Sequence, residues 1–461
     1  MTMSRPLSVI ILAAGQGTRM RSALPKVLHP VGPAPMLGHA IDAAAALEPA
    51  GIHVVHGHGG EAVREAFEGR DITWVEQAQQ LGTGHAVGCA LPGVPDDHTV
   101  LVLYGDVPLV TSATLERLAG AAEGRLAVLT TQLGHPAGYG RILRDDHGAV
   151  VGIVEEKDAT DTQRAIGEVN TGMLAGPAAD LRRWLAATSR DNAQGEYYLT
   201  DVVALAAGEG QAAAGVVTHD PDEVAGVNNR VQLAAAEAAY RRRRAEALML
   251  AGVTLRDPAR VDIRGEVTTP GDVEIDVDVV LEGRVALGRD VYIGPGAVLR
   301  NCRLDDGVRV EAHTVIEGAA LGAGASVGPF ARIRPGSELA EGAKVGNFVE
   351  TKASRIGAGS KVNHLAYIGD TEMGAGVNVG AGTITCNYDG AHKHTTTIGD
   401  DAFIGSDCQL VAPVTIGAGA TLGAGTTLTR DAPAGQLTIT RVRQRTIEDW
   451  RRPCKDDGRE G

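Results

Sequence analysis

Two hydrophobic rhythms divide the chain. Up to about residue 230, short apolar runs ("SVIILAA", "IHVVHG", "ITWV", "TVLVLYG", "LAVLTT") alternate with stretches of helical spacing such as "MLGHAIDAAAAL" and "GHAVGCAL". Such runs predict buried strands. Their alternation with helices predicts an α/β, Rossmann-like domain over 1–230, with a mostly parallel sheet and ligands at the C-terminal strand ends. Residues Asn228 to Ala251 are Ala-rich, charged and free of Gly and Pro, which predicts one helix, with 231–251 linking the two halves. Its Arg241–Arg244 run reads as a solvated helix face, with RNA or anionic lipid binding as the alternative.

From Gly252 the chain counts in sixes. Val327, Ile333, Leu339 and Val345 keep the beat, as do Ile398, Ile404, Leu410, Ile416, Leu422 and Leu428. Units such as "IGPGAV", "IGAGAT" and "LGAGTT" are hexapeptide repeats of a parallel β-helix over 252–461, of the kind known for left-handed crossovers. Each unit makes one flat side, three close a coil, and the aliphatic residues stack inside. Between Val379 and Ile398 the beat fails across "TITCNYDGAHKHTTTIG". A coil extrudes a loop at a corner without disturbing its stack, so this stretch is expected on a binding face. The final "RRPCKDDGREG" looks like an untethered tail.

Composition narrows the partners. The net charge of −14 argues against nucleic acid as the main partner. No apolar run approaches the ~18 residues of a membrane span. Five Cys, none in CxxC spacing, suit a reducing cytoplasm and provide no metal framework. The 61 Gly and 3% aromatic residues fit a thin solenoid with tight turns.

The first chemistry concerns phosphates. In "LAAGQGTRM" (Leu12, Ala13, Ala14, Gly15 to Met20), Gly15 and Gly17 let backbone amides approach an anion, and Arg19 and Lys26 add charge. The third Gly of a dinucleotide fingerprint is missing, which argues against an oxidoreductase. The string with "LPKVLHP" resembles the nucleotide-sugar pyrophosphorylase family, whose pattern is LAAGxGTRMxxxxPKxL. Gln16 stands where Lys is common there. Asp106, after Tyr104 and Gly105 at a strand end, suits a Mg²⁺ ligand, and Asn228 supplies a second oxygen. Gln77, beside Gly82 and Thr83, suits the edge of uracil. Gly140, Glu155 and Asn170 suit sugar hydroxyls. The resemblance implies uridylyl transfer from UTP to a sugar 1-phosphate, with Arg19 and Lys26 steadying the triphosphate.

The second chemistry lies on the coil, where Arg334, Lys352, His364, Tyr367 and Asn378 form a polar set that packing does not require. With Asn387, Tyr388, Ser406, Ala424 and Arg441, the chain resembles the bacterial bifunctional N-acetylglucosamine-1-phosphate uridylyltransferase and glucosamine-1-phosphate acetyltransferase family along nearly its whole length. An imidazole is suited to take a proton from an attacking amine. The resemblance implies His364 as the base, Asn387 orienting it, and the Ser406 N–H at the oxyanion. It further implies Arg334 and Lys352 on the sugar phosphate and Tyr367 and Asn378 on the sugar. Acetyl-CoA falls to Ala381, Asn387, Tyr388, Ser406, Ala424 and Arg441. A thin coil has no cleft, so a homotrimer through the β-helix is expected, with the loop reaching a neighbour. His392 and His394 make a poor zinc set. Two rivals remain: a single-function nucleotidyltransferase with an assembly-only coil, and a non-catalytic subunit.

Overall fold

The computed structural model describes residues 5–57, 59–440, 443–450 and 452. It divides into two compact units, Met1–Arg243 and Arg244–Gly461.

In the first unit, strands β1 (Leu7–Ala13), β2 (Gly51–His56), β3 (Thr73–Glu76), β4 (Thr99–Tyr104), β5 (Ala127–Gln132), β6 (Glu168–Pro177) and β7 (Ala214–Thr218) form one sheet in the order β7-β5-β6-β4-β1-β2-β3. β1 is buried at every position, as its unbroken apolar run requires of a central parallel strand. β6 is the exception to parallel pairing: it runs antiparallel between β4 and β5, and its register shifts between Asn170 and Leu174. The alternation of strands and helices does not reveal that reversal, nor the hairpin Arg141–Arg144 with Val150–Val154 that joins the sheet's margin. Helices α1 (Met36–Ala45) and α2 (Thr83–Ala90) fall where their spacing predicts.

The long helix α3 (Arg230–Leu250) is divided between two cores. Ala236 and Ala239 pack with Val31, Met36, Leu109 and Val227 in the first unit, while Ala245 and Leu248 belong to the coil core. The helix is thus a component of both units, and the division falls within it at Arg243. Three arginines of the run are partnered by acids or a carbonyl. Arg242 pairs with Asp222, Arg243 with Asp220 at 2.8 Å, and Arg244 donates to Gly265 O.

In the second unit the repeats stack as parallel rungs. Ser326 pairs with Lys344, Lys344 with Lys361, and Lys361 with Asn378, so each coil takes 17 or 18 residues. An 11-stranded sheet forms one face. A 16-stranded sheet supplies the other two, bending at Val298–Leu304, which pairs with both Val315–Glu317 and Ala320–Leu321. The inward aliphatics Val327, Ile333, Leu339, Val345, Ile398, Ile404, Leu410, Ile416, Leu422 and Leu428 all lie in one continuous core. Thr351 and Thr385 are polar where neighbouring rungs carry aliphatics. Thr351 Oγ1 donates to Ser337 Oγ at 3.0 Å, and Thr385 Oγ1 accepts from Gly369 N at 2.7 Å, so neither hydroxyl is left unsatisfied.

Where the beat fails, one coil lengthens. Asn378 pairs with Phe403 and Ile384 with Gln409, 25 residues on, and the stack resumes in register beyond them. The extra residues form a tight loop: Asp389 accepts from Ala391 N (2.8 Å), His392 N (2.7 Å) and His394 Nε2 (2.7 Å).

Truncation of one inward rung tests the stack. Ile404→Ala should cost about 2–5 kcal/mol, the range for emptying a buried branched site. Thermal melting should show a coil transition moved down, with the α/β unit's own transition in place.

Candidate active sites

β1 and β4 are neighbours in register, Leu12 beside Tyr104, so the loops leaving both emerge at the same sheet edge. Gly105 N donates to Leu12 O at 2.9 Å and closes that edge. At Gly17 the backbone turns left-handed (φ 63°), and a Cβ there would lie 2.7 Å from Lys26 Cβ. Only glycine lets Lys26 tuck under the loop. Gly15 has open space around it, so a ligand can reach its backbone.

Four of the expected residues converge. Lys26 pairs with Asp106, and its Nζ reaches Asn228 Oδ1 at 3.3 Å. Arg19 donates to the same Asn228 oxygen at 3.0 Å. Val227 N donates to Asp106 O at 2.9 Å, which sets Asn228 beside the strand end. Asp106 and Asn228 therefore present hard oxygens to one point, which Lys26 Nζ shares. A cavity of about 280 Å³ adjoins them, lined among others by Leu12, Ala13, Ala14, Gly15, Lys26, Gln77, Gly82, Thr83, Tyr104 and Asp106. Gln77 NH₂ is engaged by Gly82 O and His85 Nδ1, both at 3.0 Å, so its amide oxygen is the atom it offers a base.

The expected sugar residues Gly140, Glu155 and Asn170 lie close to one another. Asn170 N donates to Gly140 O at 2.8 Å, and a Cβ on Gly140 would lie 3.4 Å from Glu155 Oε2. Burial pushes the Glu155 carboxyl above its usual range, against a hydrogen bond from Thr200. Burial, then the charges of Asp106 and Glu155, raise the Tyr104 phenol, and this ring lines the cavity beside Asp106. Gln80 and Glu196 also line the cavity, and the motif gives no signal for either.

On the coil, the expected residues separate into two groups on adjacent faces. On the 11-stranded face a groove of about 540 Å³ is lined by His364, Asn378, Ala381, Ser406 and Ala424. Gly380 is required beneath it, because a Cβ there would lie 2.5 Å from Ser406 N. On the next face stand Arg334, Lys352, Tyr367 and Asn387. Arg334 pairs with Glu350 at 2.8 Å and Lys352 with Asp370 at 3.6 Å. Asn387 Nδ2 donates to Asp370 and reaches Tyr367 Oη at 3.5 Å. The corner between the faces is Leu365, left-handed at φ 46°.

Within the single chain, three of the expected residues do not meet the groups they are expected to serve. The partner of His364 Nδ1 is Asn347 Oδ1, at 2.8 Å, and not Asn387, which is committed to Asp370. A rung explains this: Asn347 and His364 are register partners one coil apart. Asn378 lies with His364 in the groove and not with Tyr367. Tyr388, expected at acetyl-CoA, sits on the loop with its hydroxyl on Gly390 O at 2.6 Å, apart from Ala381, Ser406 and Ala424. Arg441 lies outside the described residues. Sequence reading missed Asn347, Asp370 and Lys393, whose ammonium is lowered by the adjacent Lys352. An exact one-coil spacing to His364 and Asn387 was the available signal for the first two.

A strand-edge phosphate loop and a hexapeptide coil with a groove-facing imidazole define a two-domain transferase, one unit for nucleotidyl groups and one for acyl groups. Family models agree: a MobA-like NTP transferase domain matches residues 9–166, a GMPPB C-terminal domain 263–356, and the bacterial transferase hexapeptide (six repeats) 395–430. The bifunctional protein GlmU of Alkalilimnicola ehrlichii is 61% identical over 98% of this chain and 97% of its own. That of Stenotrophomonas maltophilia is 58% identical over 98% of this chain and 100% of its own. The chain belongs to the GlmU family, bifunctional enzymes that pair a uridylyltransferase with an acetyltransferase in UDP-N-acetylglucosamine synthesis.

Asn347→Ala should lower acetyl transfer about 10²-fold in kcat, the scale of a misplaced catalytic group, with KM for acetyl-CoA unchanged. Steady-state kinetics of both reactions, with uridylyl transfer as the internal control, measure it.

Proposed function

We propose that the coil acetylates glucosamine 1-phosphate and that the α/β unit then joins the product to the uridylyl group of UTP. The observation that carries this reading is the presence of two distinct chemical sets in two separate units. One is Arg19, Lys26, Asp106 and Asn228 at the strand edge, and the other is His364 with Asn347 on the coil.

In the acetyl step, Asn347 Oδ1 accepts the Nδ1–H of His364, which leaves the Nε2 lone pair for the substrate. The sugar amine attacks the thioester carbonyl and passes its proton to Nε2. The Ser406 N–H holds the developing oxyanion. The C–S bond then breaks, and the thiol leaves with the proton from His364. Arg334 and Lys352, joined by Lys393, hold the sugar phosphate.

In the uridylyl step, a phosphate oxygen of N-acetylglucosamine 1-phosphate attacks the α-phosphorus of UTP. The bond to the β-phosphate oxygen breaks and pyrophosphate leaves in line. Lys26 and Asp106 exchange partners as the triphosphate enters: the ammonium turns to phosphate, and Arg19 adds the second cation. Mg²⁺ fits the donor set, since Asp106 and Asn228 offer the hard oxygens it takes beside phosphates, and when bound it supplies charge neutralisation. The Gln77 amide oxygen meets the base, and Gly140, Glu155 and Asn170 hold the sugar.

A homotrimer unites the two coil groups. Along the corner between their faces, His313, Phe330, Phe348 and Leu365 all adopt φ between 46° and 57°. That conformation costs a bulky residue roughly 1–2 kcal/mol. Phe330 stacks between His313 and Phe348 at 5.1 and 5.5 Å, and Phe330, Phe348 and Leu365 remain 50%, 56% and 63% exposed. A strained, apolar, exposed ladder is suited to burial against second copies of itself. Packing at that corner sets the His364 face of one chain opposite the Lys352 face of the next. The enzyme is expected in the cytoplasm, and among the described residues no helix is long and apolar enough to cross a membrane.

Incubation with glucosamine 1-phosphate, acetyl-CoA, UTP and Mg²⁺ should yield UDP-N-acetylglucosamine by mass spectrometry. Absence of product from folded protein rejects the reading. Asp106→Ala should abolish uridylyl transfer and leave acetylation within about 2-fold, assayed separately with each substrate pair. Mixing His364→Ala with Asn387→Ala chains should raise acetylation above either parent, because some sites then draw both intact residues from different subunits. No recovery after subunit exchange, confirmed by native mass spectrometry, places the site on one chain.

A further inference from the structure

Behind the nucleotide cavity lies a second and larger one, of about 590 Å³. Helix α2 is the wall between them. Thr83 and Ala86 face the first cavity, while Gly84, His85, Gly88 and Cys89 face the second. Two of those four are glycines, so the wall is thin. The start of α2 is pinned to a segment that also lines both spaces. Gly84 N donates to Tyr197 O at 2.9 Å, Leu199 N donates to Thr83 Oγ1 at 3.2 Å, and Gly82 permits no Cβ, which would lie 2.6 Å from Tyr197 O. Glu196 lines the first cavity and Tyr197 the second.

A hydrogen-bonded chain crosses the wall. Gln77, in the nucleotide cavity, meets His85 Nδ1 at 3.0 Å, and His85 Nε2 meets the Cys89 thiol at 3.8 Å in the second cavity. None of these groups is needed for the phosphoryl chemistry above, Gln77 excepted.

The lining states what would bind. Leu81, Leu91, Pro92 and Leu185 make its walls apolar. Its one cation, Arg182, is committed to Asp96 at 2.8 Å and to the carbonyls of Leu91 and Val94. Burial holds the Cys89 thiol above its usual range, so it stays neutral. The His85 and Tyr197 rings lie 6.5 Å apart, centroid to centroid, at 30°. With Arg182 paired and Arg190 lying over the Tyr197 ring at 5.9 Å, a largely apolar cavity with two rings suits an uncharged aromatic molecule held by ring contacts.

We propose that this cavity binds a neutral, planar aromatic small molecule, and that its occupation weakens UTP binding by shifting α2 and Gln77. The coupling rests on the assignment of the first cavity to UTP; the binding does not. The route is physical: one helix and one pinned segment form walls of both cavities, so a ligand that moves them must change its neighbour's fit.

Indole is the probe. Calorimetry and NMR on the full-length enzyme, without nucleotide, should show saturable indole binding. Gly88→Phe should abolish it. A Cβ at Gly88 meets no atom within 4 Å, and its backbone is helical, so the new ring fills the cavity without strain on the fold. An unchanged or raised Tm checks that. Saturating indole should raise KM for UTP by about 5-fold or more, the lower range of allosteric coupling, in wild type and not in Gly88→Phe, with acetyl transfer constant in both. No indole binding to wild type, or equal binding to Gly88→Phe, overturns the site. Binding with constant KM for UTP overturns the coupling. Failure of the UTP assignment itself would show separately, as undiminished uridylyl transfer in Asp106→Ala.

Discussion

Each coil of the second unit must lay its inward side chain over that of the coil before it. This one requirement governs the rest of the domain. It fixes the 17- or 18-residue period, and it fills the interior so fully that no pocket can open there. Chemistry is driven to the outer faces, where side chains are free of the stack. It also explains how a loop of Asn, Asp, Lys and His is accommodated: the coil that carries it is 25 residues long, yet Val379 still lies on Ile404. Register is conserved at the rung, and length is spent at the corner.

The α/β unit solves the opposite problem. Its sheet is buried on both faces, so its binding groups can only stand at the strand ends. There β1 and β4 release loops side by side, and Gly17 allows Lys26 into the space between them. The pairing of Lys26 with Asp106 then keeps a half-buried cation and a half-buried acid mutually compensated. A lone charge there would bear the desolvation cost by itself.

Much of this was legible in the residues. The six-residue beat announces the coil, its failure marks the extruded loop, and the Gly-rich string with Lys26 and Asp106 marks the phosphate edge. What escaped has a common physical cause. Sequence spacing shows which residues share a face but not which rung partner each side chain selects. Hence Asn347 was not foreseen on His364, and Asn378 and Tyr367, expected on one sugar, stand on different faces of the single chain. The polar inward residues Thr351 and Thr385 were hidden similarly, since their partners lie a coil away. Antiparallel β6 was invisible because an apolar run carries no direction. The helix 230–250 read as a linker because its composition does not show that its ends join different cores.

That shared helix has a consequence for synthesis. The first core is completed only when Ala236 and Ala239 arrive, so the nucleotidyltransferase unit closes late, on its own last segment. The coil behaves differently, because every rung needs only the rung before it. At ribosomal rates of roughly 5–20 residues per second, a new turn emerges every few seconds and finds its template already in place. Such a stack is suited to growth from one end, with Ala245 and Leu248 of the emerging helix in its first layer. In such growth the order of manufacture and the order of assembly coincide, and the turns bearing His364 and Ser406 are laid on coils already stacked.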